Sequence, residues 1–217
     1  MSDHAQAVSH PAHLQHHFVS SEQQFDAAKM GMWLFLITEV LLFCGMFVAY
    51  TVYRTWHPEV FEAASVLLNT KLGALNTIVL LTSSLTVALA IRSVQGGNQK
   101  WLKINLLLTI LLAFVFLVVK YFEYTHKFHE AIFPGGNYAY EGLDMAYVPI
   151  FFSIYFVMTG IHGLHVLIGI GVLSWILIKA TRGRFSAEYY TPVELTGLYW
   201  HLVDIIWIFL FPLLYLI

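Results

Sequence analysis

The chain has 217 residues, of which 59% are hydrophobic and 11% are charged, and its formal net charge is −2. This composition differs strongly from that of a soluble globular protein. The net charge gives no support for binding to nucleic acid. The single cysteine, Cys44, excludes a disulfide within the chain.

Five apolar stretches are long enough to cross a membrane as helices, since a spanning helix needs about 20 residues. We predict an all-α integral membrane protein with five transmembrane helices in a bundle, in spans near 31–53, 72–92, 102–122, 148–179 and 193–217. Residues 1–28 are expected to be a disordered cytoplasmic tail, and residues 29–217 a single membrane domain. The loop 123–147 contains Pro-Gly-Gly and is expected to form turns rather than a helix.

The distribution of lysine and arginine predicts the orientation of the chain. The more basic ends of the predicted spans carry Lys29, Arg92, Lys100, Lys103, Lys179, Arg182 and Arg184. Because basic residues concentrate on the cytoplasmic side, we expect a cytoplasmic N-terminus and a periplasmic C-terminus. Residues 1–24 lack the pattern of a signal peptide, so the first membrane helix is expected to direct insertion.

The N-terminal tail is rich in histidine, at His4, His10, His13, His16 and His17. On a helix, the last three would share one face and could hold a transition metal weakly. A solvated tail without metal is the simpler interpretation, because a selective site needs surrounding groups that fix its imidazoles.

Ionisable residues inside the predicted spans are the main candidates for function. A charged side chain in the hydrocarbon costs roughly 2.5–3.5 kcal/mol on insertion scales, so it is expected to be paired or to have a role. The candidates are Glu39 in the first span, His162 and His165 in the fourth, and His201 and Asp204 in the last.

Glu39 and His201 lie at similar distances from the cytoplasmic starts of their predicted spans, roughly 12 Å deep. In the last span, the spacing of three and four places one polar stripe on a helix face, formed by Glu194, Gly197, His201 and Asp204. We predict that Glu39 faces this stripe and forms a hydrogen bond with His201. Two roles for Glu39 remain open, a carboxyl that exchanges protons and a structural clamp between helices.

The fourth span combines polar and small residues. One face carries Thr159, His162, His165 and Gly169, and a small-residue face suited to close helix packing carries Gly160, Gly163 and Gly171. A haem bound by two histidines needs ligands at similar depth on two helices. His165 should lie roughly 9 Å deeper than His201, which favours hydrogen-bonding histidines over haem ligands.

No set of metal ligands converges on Cys44, and the sequence contains neither a phosphate-binding loop nor a pair of nucleophile and base. The chain is therefore expected to have no catalytic residues, no metal site and no redox centre of its own. Its function should depend on what it binds.

Three motifs resemble those of subunit III of the haem–copper respiratory oxidases. They are T-E-V at Glu39 in the first span, T-G-I-H-G-L-H-V in the fourth, and Y-W-H-L-V-D-I-I-W in the last. They occur in the order of that family, and the resemblance extends from Lys29 to Ile217. It implies that Glu39 matches the carbodiimide-reactive carboxylate of the family, and that the other characteristic polar positions are Glu123, His162, His165, His201 and Asp204.

The resemblance also implies a function. The chain would be subunit III of an aa3-type cytochrome c oxidase in a bacterial inner membrane, in a complex that reduces oxygen to water and pumps protons. Haem and copper would belong to partner subunits, and this chain would support the stability and proton uptake of the catalytic subunit I. Its partners would be subunits I and II, membrane lipids and a larger respiratory supercomplex.

Phospholipid is the one ligand that the resemblance implies for this chain. Longer family members have seven spans, whereas this chain matches the last five. The two absent helices form half of a lipid-holding cleft in the longer form, so lipid binding of that kind is an open question here.

Other functions remain as alternatives. Quinol oxidases also have a five-span subunit III, often with a His-rich tail, although some carry aspartate at the position of Glu39. Homologues associated with nitric oxide reductases are similar. A free-standing transporter or a haem-bearing quinone-linked anchor is a further class, but a transporter should show interrupted helices or internal symmetry, and the second and third spans are nearly unbroken.

Overall fold

The computed structural model describes residues 14–130, 132–133 and 147–217, and its regular secondary structure in these ranges is helical. The helices are α1 (Ser21–Trp56), α2 (Pro58–Ser65), α3 (Thr70–Gln95), α4 (Gln99–His129), α5 (Val148–Thr181) and α6 (Thr191–Tyr215). All except α2 are long and apolar enough to span a membrane, which confirms the five predicted helices.

The structure extends two predicted boundaries. Helix α1 begins at Ser21, within the predicted tail, and α4 continues through Glu123 to His129, so the first residues of the predicted loop are helical. In both places the helix continues into mostly polar residues beyond the membrane-length apolar segment. The Pro-Gly-Gly segment and residues 1–13 lie outside the described residues.

Local sequence signals explain where the helices begin. Ser20, Asn69 and Asn98 each accept a hydrogen bond from the backbone N–H three residues further on, which satisfies one of the free donors of the first turn. Pro149 and Pro192 lie in the first turns of α5 and α6, where a missing N–H costs no helical hydrogen bond.

Four helices form a closed bundle. Helices α3 and α4 are a hairpin joined by a tight turn at Gly97, whose φ of 74° suits glycine. Helix α3 also packs on α6, and α5 packs on both α4 and α6, so that the four helices form a ring. Its core is filled by aromatic side chains that are fully buried, among them Phe116, Tyr155, Trp200 and Trp207.

Helix α1 lies outside this ring, against α6 and α5. It buries only Leu36, Phe43 and Tyr50, at intervals of seven residues. The Tyr50 hydroxyl donates a hydrogen bond to the Leu213 carbonyl near one end of α6. Most of the α1 surface therefore faces outward, towards lipid or another subunit.

Close helix packing on α5 occurs at a different glycine from those predicted. Within the described residues, a Cβ atom on Gly163 or Gly171 would meet nothing within 4 Å, and one on Gly160 would meet only the Tyr124 hydroxyl, at 4.0 Å. At Gly169, by contrast, a Cβ would lie 2.5 Å from the Trp200 ring. Close packing of another helix on the predicted small-residue face is not seen within the described residues, and it stays a prediction for a helix of another subunit.

Candidate functional site

Glu39 and His165 form the central polar pair of the membrane region. Glu39 Oε2 lies 2.8 Å from His165 Nε2, and His165 Nδ1 lies 2.8 Å from the Ile161 carbonyl oxygen. The Glu39 and His165 side chains are 16% and 10% exposed. The pair therefore lies at the rim of the four-helix ring, where α1 meets α5.

The hydrogen bonds around His165 determine what the pair can do. Since a carbonyl oxygen can only accept a hydrogen bond, His165 Nδ1 must carry a hydrogen and donate a hydrogen bond to the Ile161 carbonyl oxygen. Nε2 and the Glu39 carboxyl then share one further proton, which lies on either the oxygen or the nitrogen. The Tyr199 hydroxyl donates to the His165 carbonyl oxygen at 3.0 Å and holds this turn of α5 against α6.

The predicted hydrogen bond between Glu39 and His201 is wrong. His201 Nδ1 lies 2.7 Å from the Ser84 hydroxyl, so its imidazole points towards α3 and away from α1. Part of the predicted stripe on α6 is thus divided between two neighbouring helices, with Glu194 facing α1 and His201 facing α3.

The physical reason is the relative register of α1 and α6. Lys29 Nζ lies 3.0 Å from Glu194 Oε1, which marks a common level on the two helices. From that level, α1 rises about 15 Å to Glu39, whereas α6 rises only about 10 Å to His201. Glu39 therefore lies about 5 Å further along its helix than His201 does, whereas the sequence estimate, which counted from the predicted starts of the two spans, placed them at the same depth.

Asp204 is the second buried carboxyl. It is 2% exposed and forms no hydrogen bond with the described residues, although the Ser84 hydroxyl lies beside it outside hydrogen-bonding geometry. Ser84 is therefore close to both His201 and Asp204, one turn apart on α6. The structure brings these two predicted residues to the same neighbour on α3 and keeps both away from Glu39.

Glu123 belongs to a separate cluster at the other end of the bundle. Its Oε2 lies 3.0 Å from Lys120 Nζ, and its Oε1 accepts hydrogen bonds from the Tyr155 and Tyr215 hydroxyls at 2.9 and 2.7 Å. Lys120 Nζ also donates to the Tyr215 hydroxyl at 2.6 Å and lies 4.7 Å from the centre of the Trp207 ring. This network joins α4, α5 and α6 and satisfies both buried charges.

His162 lies between this cluster and the Glu39–His165 pair. Its ring contacts Phe116 and Trp207, with centroid distances of 5.5 and 5.2 Å, and neither nitrogen forms a hydrogen bond with the described residues. The expectation of a hydrogen-bonding histidine is therefore not met at this position. Thr159, on the same face, bonds with the Tyr124 hydroxyl.

Sequence reasoning missed several members of these networks. Lys120 had a usable signal, since it is a basic residue in an apolar span three positions before Glu123. Ser84, Tyr155 and Tyr215 had none, because hydroxyl side chains are common in apolar helices and their partners come from other helices. Among the described residues, no group of three or more histidine, cysteine, aspartate or glutamate side chains could hold a metal ion. His4, His10 and His13 lie outside those residues.

Comparison with known proteins agrees with the motifs. The family model described as "Cytochrome c oxidase subunit III" matches residues 6–217. Cytochrome c oxidase subunit 3 of Thermostichus vulcanus is 32% identical over 204 residues, covering 88% of each chain. The protein of that name from Synechocystis sp. is 34% identical over 202 residues, covering 88% of this chain and 76% of the relative.

A third relative has a different organisation. "Heme-copper oxidase subunit I+III" of Aeropyrum pernix is 32% identical over 199 residues, which cover 88% of this chain and 23% of that protein. Its name describes subunits I and III joined in one polypeptide. On the family match over nearly its whole length, the chain belongs to the cytochrome c oxidase subunit III family.

Proposed function

We propose that this chain assembles with subunits I and II of a cytochrome c oxidase in a bacterial inner membrane, with its N-terminus in the cytoplasm. It packs against the catalytic subunit I, leaves haem and copper to its partners, and supports proton uptake by subunit I. The fused subunit I+III of the Aeropyrum pernix relative supports a direct contact with subunit I. The five apolar helices support the location in a membrane.

The observation that carries this proposal is the Glu39–His165 pair. Its two groups share one proton across a distance of 2.8 Å, in a setting where charge separation is costly. The carboxyl can release a proton and recover it through Nε2, while Nδ1 stays bonded to the Ile161 carbonyl oxygen. The geometry thus allows the Glu39–His165 pair to hold one exchangeable proton within the membrane.

The Glu39–His165 pair lies where a partner subunit could contact it. Helix α1 is held to the ring along a narrow face, and Glu39 remains partly exposed beside that face. An ionisable group at this depth is stabilised when a neighbouring subunit, rather than lipid, covers it. A subunit that binds over α1 would therefore shield the Glu39–His165 pair from lipid. The charge state of the pair would in turn act on that subunit.

The test compares two replacements of Glu39 in the assembled oxidase. Glutamine retains a hydrogen bond with His165 but cannot exchange a proton, whereas alanine removes both functions. We expect Glu39→Gln and Glu39→Ala to shorten the turnover lifetime of the enzyme severalfold, with an unchanged haem spectrum. The measurement is oxygen consumption followed until the enzyme inactivates.

A wild-type lifetime for Glu39→Gln would show that the carboxyl is a structural clamp and would contradict the proposal. The contact itself is tested by combining Glu39→Ala with a second replacement. The effect on turnover should be less than additive with His165→Ala, because the two residues act together, and additive with His201→Ala.

A further inference from the structure

Asp204 is a buried carboxyl outside the Glu39–His165 pair. Both of its oxygens are buried and form no hydrogen bond with the described residues, and no ion pair of those residues includes it. An ionised carboxylate in such a position is costly, so Asp204 is expected to carry a proton. What this carboxyl can do depends on whether its proton has a route to the surface.

The two tryptophans on the same face of α6 offer no such route. Trp200 lies four residues before Asp204 and Trp207 three residues after it, and both are fully buried. Their indole N–H groups donate to the Ser83 and Thr77 hydroxyls, each at 3.0 Å. These hydroxyls donate in turn to carbonyl oxygens of their own helix, α3. The polar hydrogens of all four side chains are therefore already in use.

Ser84, also on α3, is placed differently. Its Oγ lies 2.7 Å from His201 Nδ1, and it forms no hydrogen bond with a carbonyl oxygen in the described part of the chain. The Ser84 side chain also lies beside Asp204, which follows His201 by three residues and shares its side of α6. A small rotation of the Asp204 side chain would complete this hydrogen bond. A hydroxyl so placed can donate to one neighbour while it accepts from the other.

His201 connects Ser84 to the surface. The imidazole is half-buried, and its Nε2 remains accessible and forms no hydrogen bond with the described residues. The exposed side chains of Leu81 and Ile205 lie one helical turn away, so this seam between α3 and α6 is at the outside of the bundle. Ser84 therefore lies between a buried carboxyl and an imidazole that opens outward.

We propose that Asp204 exchanges its proton with the outer surface of the bundle through Ser84 and His201. A proton that binds His201 Nε2 makes the imidazole cationic, and Nδ1 then gives its hydrogen to Ser84 Oγ. Ser84 passes its own hydrogen to the Asp204 carboxylate. Each transfer breaks one N–H or O–H bond and forms another, and both His201 and Ser84 end neutral. Release of the proton follows the same steps in reverse.

The imidazole can also restore the starting arrangement. After the transfer, the hydrogen of His201 lies on Nε2, and Nδ1 accepts a hydrogen bond from Ser84. The ring is held by this one hydrogen bond within the described residues, so rotation about its Cβ–Cγ bond can bring the hydrogen back to Nδ1. Hydrogens from the surface are carried inward in this way and replace the one on Asp204. The relay does not depend on a proton role for Glu39.

The experiment follows the Asp204 carboxyl by infrared spectroscopy of the assembled oxidase after transfer to heavy water. The C=O stretching band of a protonated carboxyl shifts to lower frequency when deuterium replaces its hydrogen, and the band that Asp204→Asn lacks belongs to Asp204. We expect the wild-type band to shift with time. Ser84→Ala and His201→Phe should each slow this shift by about tenfold or more, because exchange then requires opening of the contact between α3 and α6.

Three variants serve as controls that keep the relay intact. Ser84→Thr retains the hydroxyl, whereas Thr82→Val removes a hydroxyl of the same helix that donates to the Ile78 carbonyl oxygen. Both should exchange at the wild-type rate. Glu39→Gln should also leave the rate unchanged, because the His201 imidazole points towards α3 and away from α1. A failure of the proposed role of Glu39 is therefore distinguishable from a failure of the relay.

Four results would overturn the proposal. The absence of any carboxyl band that Asp204→Asn removes would show that Asp204 holds no proton, and a wild-type band that never shifts would show that the proton is fixed. A wild-type rate in either Ser84→Ala or His201→Phe would show that the proton takes another route. Slow exchange in Thr82→Val would show that the rate reports the stability of α3. An unchanged haem spectrum confirms that each variant assembles.

Discussion

Replacement of Glu123 with alanine is expected to reduce the free energy of unfolding of the chain by about 3–5 kcal/mol, the cost of removing one partner from a buried ion pair. Lys120 would remain buried without its counter-charge, and the hydroxyls of Tyr155 and Tyr215 would lose their common acceptor. The measurement is unfolding of the purified chain or complex by sodium dodecyl sulfate in mixed micelles.

A double variant separates the ion pair from the rest of the cluster. Lys120→Met combined with Glu123→Gln removes both charges and keeps an acceptor for the two tyrosines, so it should cost less than the sum of the single variants. Tyr121→Phe is the control, because Tyr121 is an exposed neighbour on the same helix. Wild-type stability of Glu123→Ala would contradict the assignment of this cluster as a structural junction of α4, α5 and α6.

The second large effect is expected at Gly169. A Cβ atom there would lie 2.5 Å from Trp200 Cζ3 and 2.7 Å from Cε3. The ring cannot move aside easily, since Trp200 is fully buried and its Nε1 donates to the Ser83 hydroxyl at 3.0 Å. We expect Gly169→Ala to lower the free energy of unfolding by about 1–3 kcal/mol, the usual cost of overpacking.

Gly163→Ala is the matched control on the same helix. A Cβ on Gly163 meets nothing within 4 Å in the isolated chain, and alanine favours a helix more than glycine does. In the isolated chain, Gly163→Ala should be neutral or slightly stabilising by the same detergent titration. Equal destabilisation by the two alanines would show that helix propensity or an unseen contact, and not the Trp200 ring, determines the effect at Gly169.

The fold could be predicted because its signals are local. Runs of apolar residues identify the five spanning helices, and Asn69, Asn98 and the first-turn prolines mark where several of them begin. Helix α2 was missed since its eight residues are too short for a recognisable pattern. The closed ring of α3, α4, α5 and α6 depends on packing across helices, which a single sequence does not contain.

The candidate site, like the fold, could be predicted only in part from the sequence. The cost of burying charge identified Glu39, His165, His201 and Asp204 as candidates, but it could not assign their partners. Depth counted from a predicted span start carries an error of about a helical turn. The His201 side chain also faces α3 and not α1, so the prediction paired Glu39 with the wrong histidine. The contact between Lys29 and Glu194, which sets the register of α1 against α6, was not visible as a pair in the sequence.

A spectrum of the complex before and after this chain is removed tests whether the chain is an oxidase subunit without a redox centre of its own. The tagged chain is extracted in mild detergent, its co-purifying subunits are identified by mass spectrometry, and a reduced-minus-oxidised spectrum is recorded. We predict that haem signals arrive together with a large catalytic subunit and stay with that subunit when this chain is stripped off. A chain that purifies alone, with or without haem, would contradict its assignment as a subunit of the oxidase.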